Sequence, residues 1–125
     1  MEFENQYLTH DEYKELGGKL IEMPFNLLEY KVEKKIDEMT FNRFKKLKEE
    51  EYPQELKLCV YDLINIFEDE GNSSISSESI GNYSVTKKSI SDMNKIKENI
   101  IKEYLSEVKV NDVYVLYRGV DLNEN

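Results

Sequence analysis

The chain has no alanine and no tryptophan, a single cysteine, a single histidine and only two prolines in 125 residues. Each scarcity closes a class. One cysteine, Cys59, excludes an intrachain disulfide and a cysteine metal cluster. One histidine, His10, with no cysteine near it offers no metal-ligand spacing, and it reads as an exposed first-turn residue. No apolar run reaches the length of a membrane span, and the first residues lack the basic and apolar parts of a leader, so a soluble protein made in a reducing cytoplasm is expected. No phosphate-binding glycine loop, HExxH, paired-cysteine motif or GxSxG occurs, so nothing nominates an enzyme or a cofactor. Positive charge is also short: the net charge is −9, against the basic stripe of a nucleic-acid-binding module. Missing alanine beside abundant Lys, Asn, Ile and Glu reflects the codon bias of an AT-rich genome.

What is present is helical patterning. At residues 53–70, Leu56, Cys59, Val60, Leu63, Ile64 and Phe67 recur at steps of three and four, a wide apolar stripe. Pro53 suits the first helical position and Gly71 a left-handed stop, so a central helix over 53–70 is expected, with Leu63 and Ile64 buried. Cys59 lies on that stripe as an inert core thiol. Upstream, Thr9 and Glu12 read as a capping box opening a short helix over 11–16 that ends at Gly17 and Gly18, with Leu8 and Tyr13 as a hydrophobic staple. A second helix over 25–39 is marked by Pro24 and carries Phe25, Leu28, Val32, Ile36 and Met39 inward. Phe41, Phe44 and Leu47 continue it as an extra turn or bend. Lys45, Lys46 and Lys48, running into Glu49, Glu50 and Glu51, read as a solvated charged connector.

Beyond Gly71 the serine-rich residues 72–79 are too polar for a core helix. Tyr83 and Val85 then alternate with Ser84 and Thr86, so an arm over about 72–88 is expected: a β-hairpin, an extended contact arm, or a serine-rich loop. A last helix over 91–107 turns Met93, Ile96, Ile100, Ile101, Tyr104 and Leu105 inward. In the tail, about 108–125, Val113, Val115 and Tyr117 alternate with Tyr114, Leu116 and Arg118. Both faces are apolar or aromatic, as in a strand that meets a second surface, and the helical core is expected to lie upstream of it. The fold expected is a single mainly α domain over 1–125, a bundle of about four helices with the arm between the last two. Ile80, Tyr83, Val85, Tyr114, Leu116, Tyr117 and Arg118 are the candidate protein-interface residues.

The order of segments HDEYKELGG, FNLLEYKVEKKIDEMTFNRF, PQELKLCVYDLINIF, ISSESIGNYSV, IIKEYLS and VLYRGV resembles the head–tail connector (adaptor or head-completion) proteins of long-tailed bacteriophages and prophages. The resemblance implies a non-enzymatic virion protein at the head–tail junction, made in the bacterial host cytoplasm. It implies a ring, typically dodecameric, joining the portal protein to the stopper or tail-completion protein, with DNA passing through without sequence-specific binding. An acidic subunit suits such a channel, since each attractive phosphate contact would add friction. The alternative is a small intracellular helical interaction or regulatory module unrelated to virions.

Overall fold

In the computed structural model the protein is mainly α-helical, and the structure describes residues 5–80 and 90–118. Helix α1, His10–Glu15, starts where its sequence says it should. Thr9 Oγ1 accepts the Glu12 N–H at 3.2 Å while Glu12 Oε1 accepts the Thr9 N–H at 2.9 Å, so two orphan groups satisfy each other. Gly17 then turns with φ +102°, and at Gly18 an added Cβ would sit 2.2 Å from the Tyr13 ring. Only glycine lets that ring lie flat over the loop, where the Tyr13 hydroxyl accepts the N–H groups of Lys19 and Leu20 at 3.1 Å each.

Helix α2, Glu22–Thr40, begins earlier than the expected 25–39, with Pro24 inside its first turn, where no N–H is needed. Phe25, Val32 and Ile36 are fully buried, and Leu28 and Met39 pack partly buried against them. The helix ends at two successive left-handed residues, Phe41 and Asn42, and the extra turn that follows is a 3-10 turn, Arg43–Lys46. A second 3-10 turn, Glu49–Glu51, leads to Pro53.

Helix α3, Gln54–Ile80, is the spine. Leu56, Cys59, Val60, Leu63 and Ile64 are all fully buried, and α3 packs against both α2 and helix α4, Ile90–Leu105. The helix runs through Gly71 and the serine-rich stretch, which corrects the expected arm: residues 72–80 are helical. A left-handed glycine is permitted at a helix end, not required there, and one interior glycine costs a helix only about 1 kcal/mol. The remainder of the expected arm lies outside the described residues.

The described hairpin follows α4 instead. Strands β1, Lys109–Val110, and β2, Val113–Tyr114, pair antiparallel around Asn111 and Asp112, whose φ values of 52° and 67° are those of a tight primed turn. Val110 and Val115 belong to the same core as the helices. The tail is therefore not a detachable strand with its core upstream: part of it packs on the bundle that precedes it.

Candidate interaction surface

The hairpin end is built around Arg43. Its guanidinium, 3% exposed, donates through Nη1 to the carbonyls of Tyr114 at 3.2 Å, Val115 at 2.9 Å and Tyr117 at 2.7 Å. Rings of Phe41 and Tyr117 flank it, their centroids 5.1 and 5.8 Å from its central carbon. A flat guanidinium can lie near both rings while one of its nitrogens serves the converging carbonyls, which a lysine ammonium could not do in the same way. The clasp leaves Phe41, Tyr114 and Tyr117 about half exposed, with Arg118 also in solvent. Lys109 stands over the Tyr114 ring at 4.6 Å. Among the residues expected at an interface, Tyr114, Tyr117 and Arg118 are thus brought together in the open, whereas Leu116 packs partly buried on the core. Ile80 closes α3, and Tyr83 and Val85 lie outside the described residues.

A second apolar surface was not read from the sequence. Along the outward side of α2, Met23, Leu27 and Tyr30 are each half exposed, and Ile21 at the N-cap is 73% exposed. Their spacing of four and three is itself a helical line, displaced from the Phe25–Val32–Ile36 line by roughly half a turn. That second line was the available signal. Lys34 carries it on, its ammonium 5.3 Å from the Tyr30 ring centroid.

The inward side of α2 holds the reverse. Glu29 is fully buried, Glu33 is 8% exposed, and Asp37 lies one turn further. Asp37 accepts a hydrogen bond from the Tyr7 hydroxyl. Lys45 Nζ reaches Glu33 at 2.8 Å and Asp37 at 3.4 Å. The charged run 45–51 is exposed at its lysines and glutamates as expected, but Lys45 within it is also tied to these two carboxylates. Burial pushes the Asp37 carboxyl up, against the pull of Tyr7 and Lys45. It pushes the Tyr7 hydroxyl up as well, with Asp37 adding to it. His10 is a correction too: it is half buried, hydrogen-bonds through Nε2 to the Leu20 carbonyl at 2.9 Å, and stands beside Tyr13 and Phe25.

As chemistry, these groups hold the fold. Cys59 is buried, its thiol pushed up to about 12 by burial and then by Asp62, far from the reactive thiolate range. Among the described residues no group of three or more His, Cys, Asp or Glu is placed to hold a metal ion. No helix among them is long and apolar enough to cross a membrane. No family model, curated protein or solved structure matches the chain.

Proposed function

We propose that this protein is an assembly subunit that acts by protein–protein contact, and specifically a ring-forming head–tail connector of a long-tailed phage or prophage. The observation that carries the reading is the display of large apolar side chains on two separate surfaces. One comprises Ile21, Met23, Leu27 and Tyr30, the other Phe41, Tyr114 and Tyr117. Single exposed apolar residues are ordinary, but grouped ones mark contact sites. The surfaces lie toward opposite ends of α2, a helix of 19 residues, which is about 28 Å long. Two unlike surfaces on one subunit suit heterologous, head-to-tail contact, the kind that closes rings. The net charge of −9 suits a wall along which DNA slides without sticking. The resemblance noted for the sequence supplies the partners, portal above and stopper or tail-completion protein below.

Native mass measurement of the protein alone and with portal tests this. A ring mass is expected in at least one of the two samples. Leu27→Glu with Tyr30→Glu, or Tyr114→Glu with Tyr117→Glu, should each abolish it while helicity is retained. Mixing the two variants should give dimers and nothing larger, because one good pair of surfaces remains. A wild-type protein monomeric both alone and with portal would sink the connector reading and leave the small interaction module.

A further inference from the structure

The segment before α1, residues 5–9, has no regular structure, yet Tyr7 and Leu8 are completely buried. One carboxyl group holds their backbone. Glu29 Oε2 accepts the Tyr7 N–H at 2.9 Å and the Leu8 N–H at 3.4 Å. The other oxygen, Oε1, is buried and meets no donor. Glu33 stands one turn along α2, where its charge repels one on Glu29. A buried carboxylate oxygen with no donor is costly, whereas a protonated carboxyl needs no cation beside it. Burial first, then Glu33, pushes the Glu29 carboxyl far above the usual carboxylate range, and with its unmatched oxygen this points to the protonated acid at neutral pH.

The surroundings close the circuit. Along α2, Glu33 and Asp37 share Lys45 from the following 3-10 turn, and Asp37 takes the Tyr7 hydroxyl. From α3, Lys57 Nζ donates to the Tyr7 carbonyl at 3.2 Å and pairs with Glu12 of α1 at 2.9 Å. Tyr52 stacks its edge on Tyr7 at 5.0 Å, with Glu49 acting on it from the second 3-10 turn. Gln6 adds a neutral bond to Asn26 at 2.9 Å. With Glu29 protonated, the ammonium at the centre, that of Lys45, faces two carboxylates. With Glu29 ionised, a third carboxylate, fully buried and beside the charge of Glu33, would be added, which is the costly arrangement.

We propose that residues 5–9 form a latch closed on the protonated carboxyl of Glu29, and that losing this proton to solvent opens the latch while the helical bundle stays folded. The bundle can stay folded because Phe25, Val32, Ile36, Leu63, Ile64 and Ile101 pack from the helices themselves. Opening at this one segment is local unfolding of the kind that occurs below the global transition.

The test is NMR on the full chain across a pH series from the acid to the alkaline range, following the Glu29 carboxyl carbon and amide-exchange protection. At neutral pH that carbon should show the protonated acid. As pH rises above the ordinary carboxyl value of 4.5, protection of the Tyr7 and Leu8 amides, corrected for intrinsic exchange, should fall by up to about tenfold per pH unit and level off once Glu29 is ionised in the closed state, while Leu63 and Ile64 stay protected. Glu29→Gln keeps an acceptor for the two N–H groups but cannot titrate, so its latch should stay shut over the same range. An ionised Glu29 at neutral pH with both amides protected would overturn the proposal. So would an equal loss of protection in Glu29→Gln, which would assign the opening to Tyr7, Tyr52 or Lys45. If Glu29→Gln does not fold, the wild-type carboxyl titration decides alone.

Discussion

The two faces of α2 reverse the usual order of a surface helix. Its outward face shows Met23, Leu27 and Tyr30 to solvent, while its inward face buries Glu29 and Glu33 beside Phe25, Val32 and Ile36. Ordinarily the apolar stripe faces the core and the acids face water. The acids are inside where partners meet them: two backbone N–H groups on one oxygen of Glu29, and an ammonium for Glu33. Buried polar groups are tolerated when their hydrogen bonds are made. The apolar residues are outside because nothing in this chain's described residues covers them. The contrast teaches that hydrophobicity at a single position says little about its side of the helix. What decides is whether a partner exists in the folded molecule for each group.

The contrast can be broken most sharply by paired truncations on opposite faces. Phe25→Ala, inward, should cost about 3–5 kcal/mol, whereas Leu27→Ala, two residues on and outward, should stay within about 0.5 kcal/mol in the monomer. Urea unfolding measures both, and comparable losses would mean that the outward face is covered within the subunit. Next in size is Arg43, which joins the C-terminal end of α2 to the hairpin. Arg43→Ala leaves three carbonyls without their cationic donor and should cost about 2–4 kcal/mol; Arg43→Lys should recover only part of it, since an ammonium lacks the flat surface that lies near the Phe41 and Tyr117 rings. Unfolding midpoints of the three proteins would show the order, and full rescue by lysine would reduce the clasp to a point charge.

A smaller effect with a definite sign comes from Glu29. Burial raises its folded pKa, so the stability tied to its protonation is fully present below its ordinary value of 4.5 and is eroded as pH rises through the raised folded value. At neutral pH the fold must take up that proton. Glu29→Gln should therefore be more stable than the wild type at neutral pH and show a flatter stability profile between those limits, as read by thermal unfolding at several pH values. Lower stability at neutral pH would mean that the carboxylate, not the acid, is the native form. The smallest expected effect is at Cys59: in the native protein, alkylation should be slow and limited by unfolding, because the thiol is buried and pushed up to about 12. Fast labelling with the fold intact would place α3 at the surface.

Short-range features of the fold are legible in the residue order. The Thr9–Glu12 box, the Phe25–Val32–Ile36 line and the five buried residues of α3 follow from contacts within one or two turns, and sequence spacing encodes those directly. The mainly α architecture follows from the same patterns. Of the residues expected at an interface, Tyr114, Tyr117 and Arg118 are exposed, while the outer apolar line of α2 is masked in the sequence by the good inward stripe of the same helix. Residues 72–80 misled because their polarity marks absence from a core, which a long helix can also satisfy once its earlier turns are packed.

The sequence by itself determined where helices start and which apolar lines they carry, since capping and periodicity act over three or four residues. Only the tertiary structure decided what Glu29, Glu33, Lys45 and Arg43 do. Their partners come from elsewhere in the chain: Tyr7 lies 22 residues from Glu29, and the Tyr117 carbonyl 74 residues from Arg43. A charged side chain has the same composition whether it ends in water or in the core. Its burial depends on whether folding delivers a proton, an ammonium or a set of carbonyls to the same place, and spacing along the chain cannot encode that meeting.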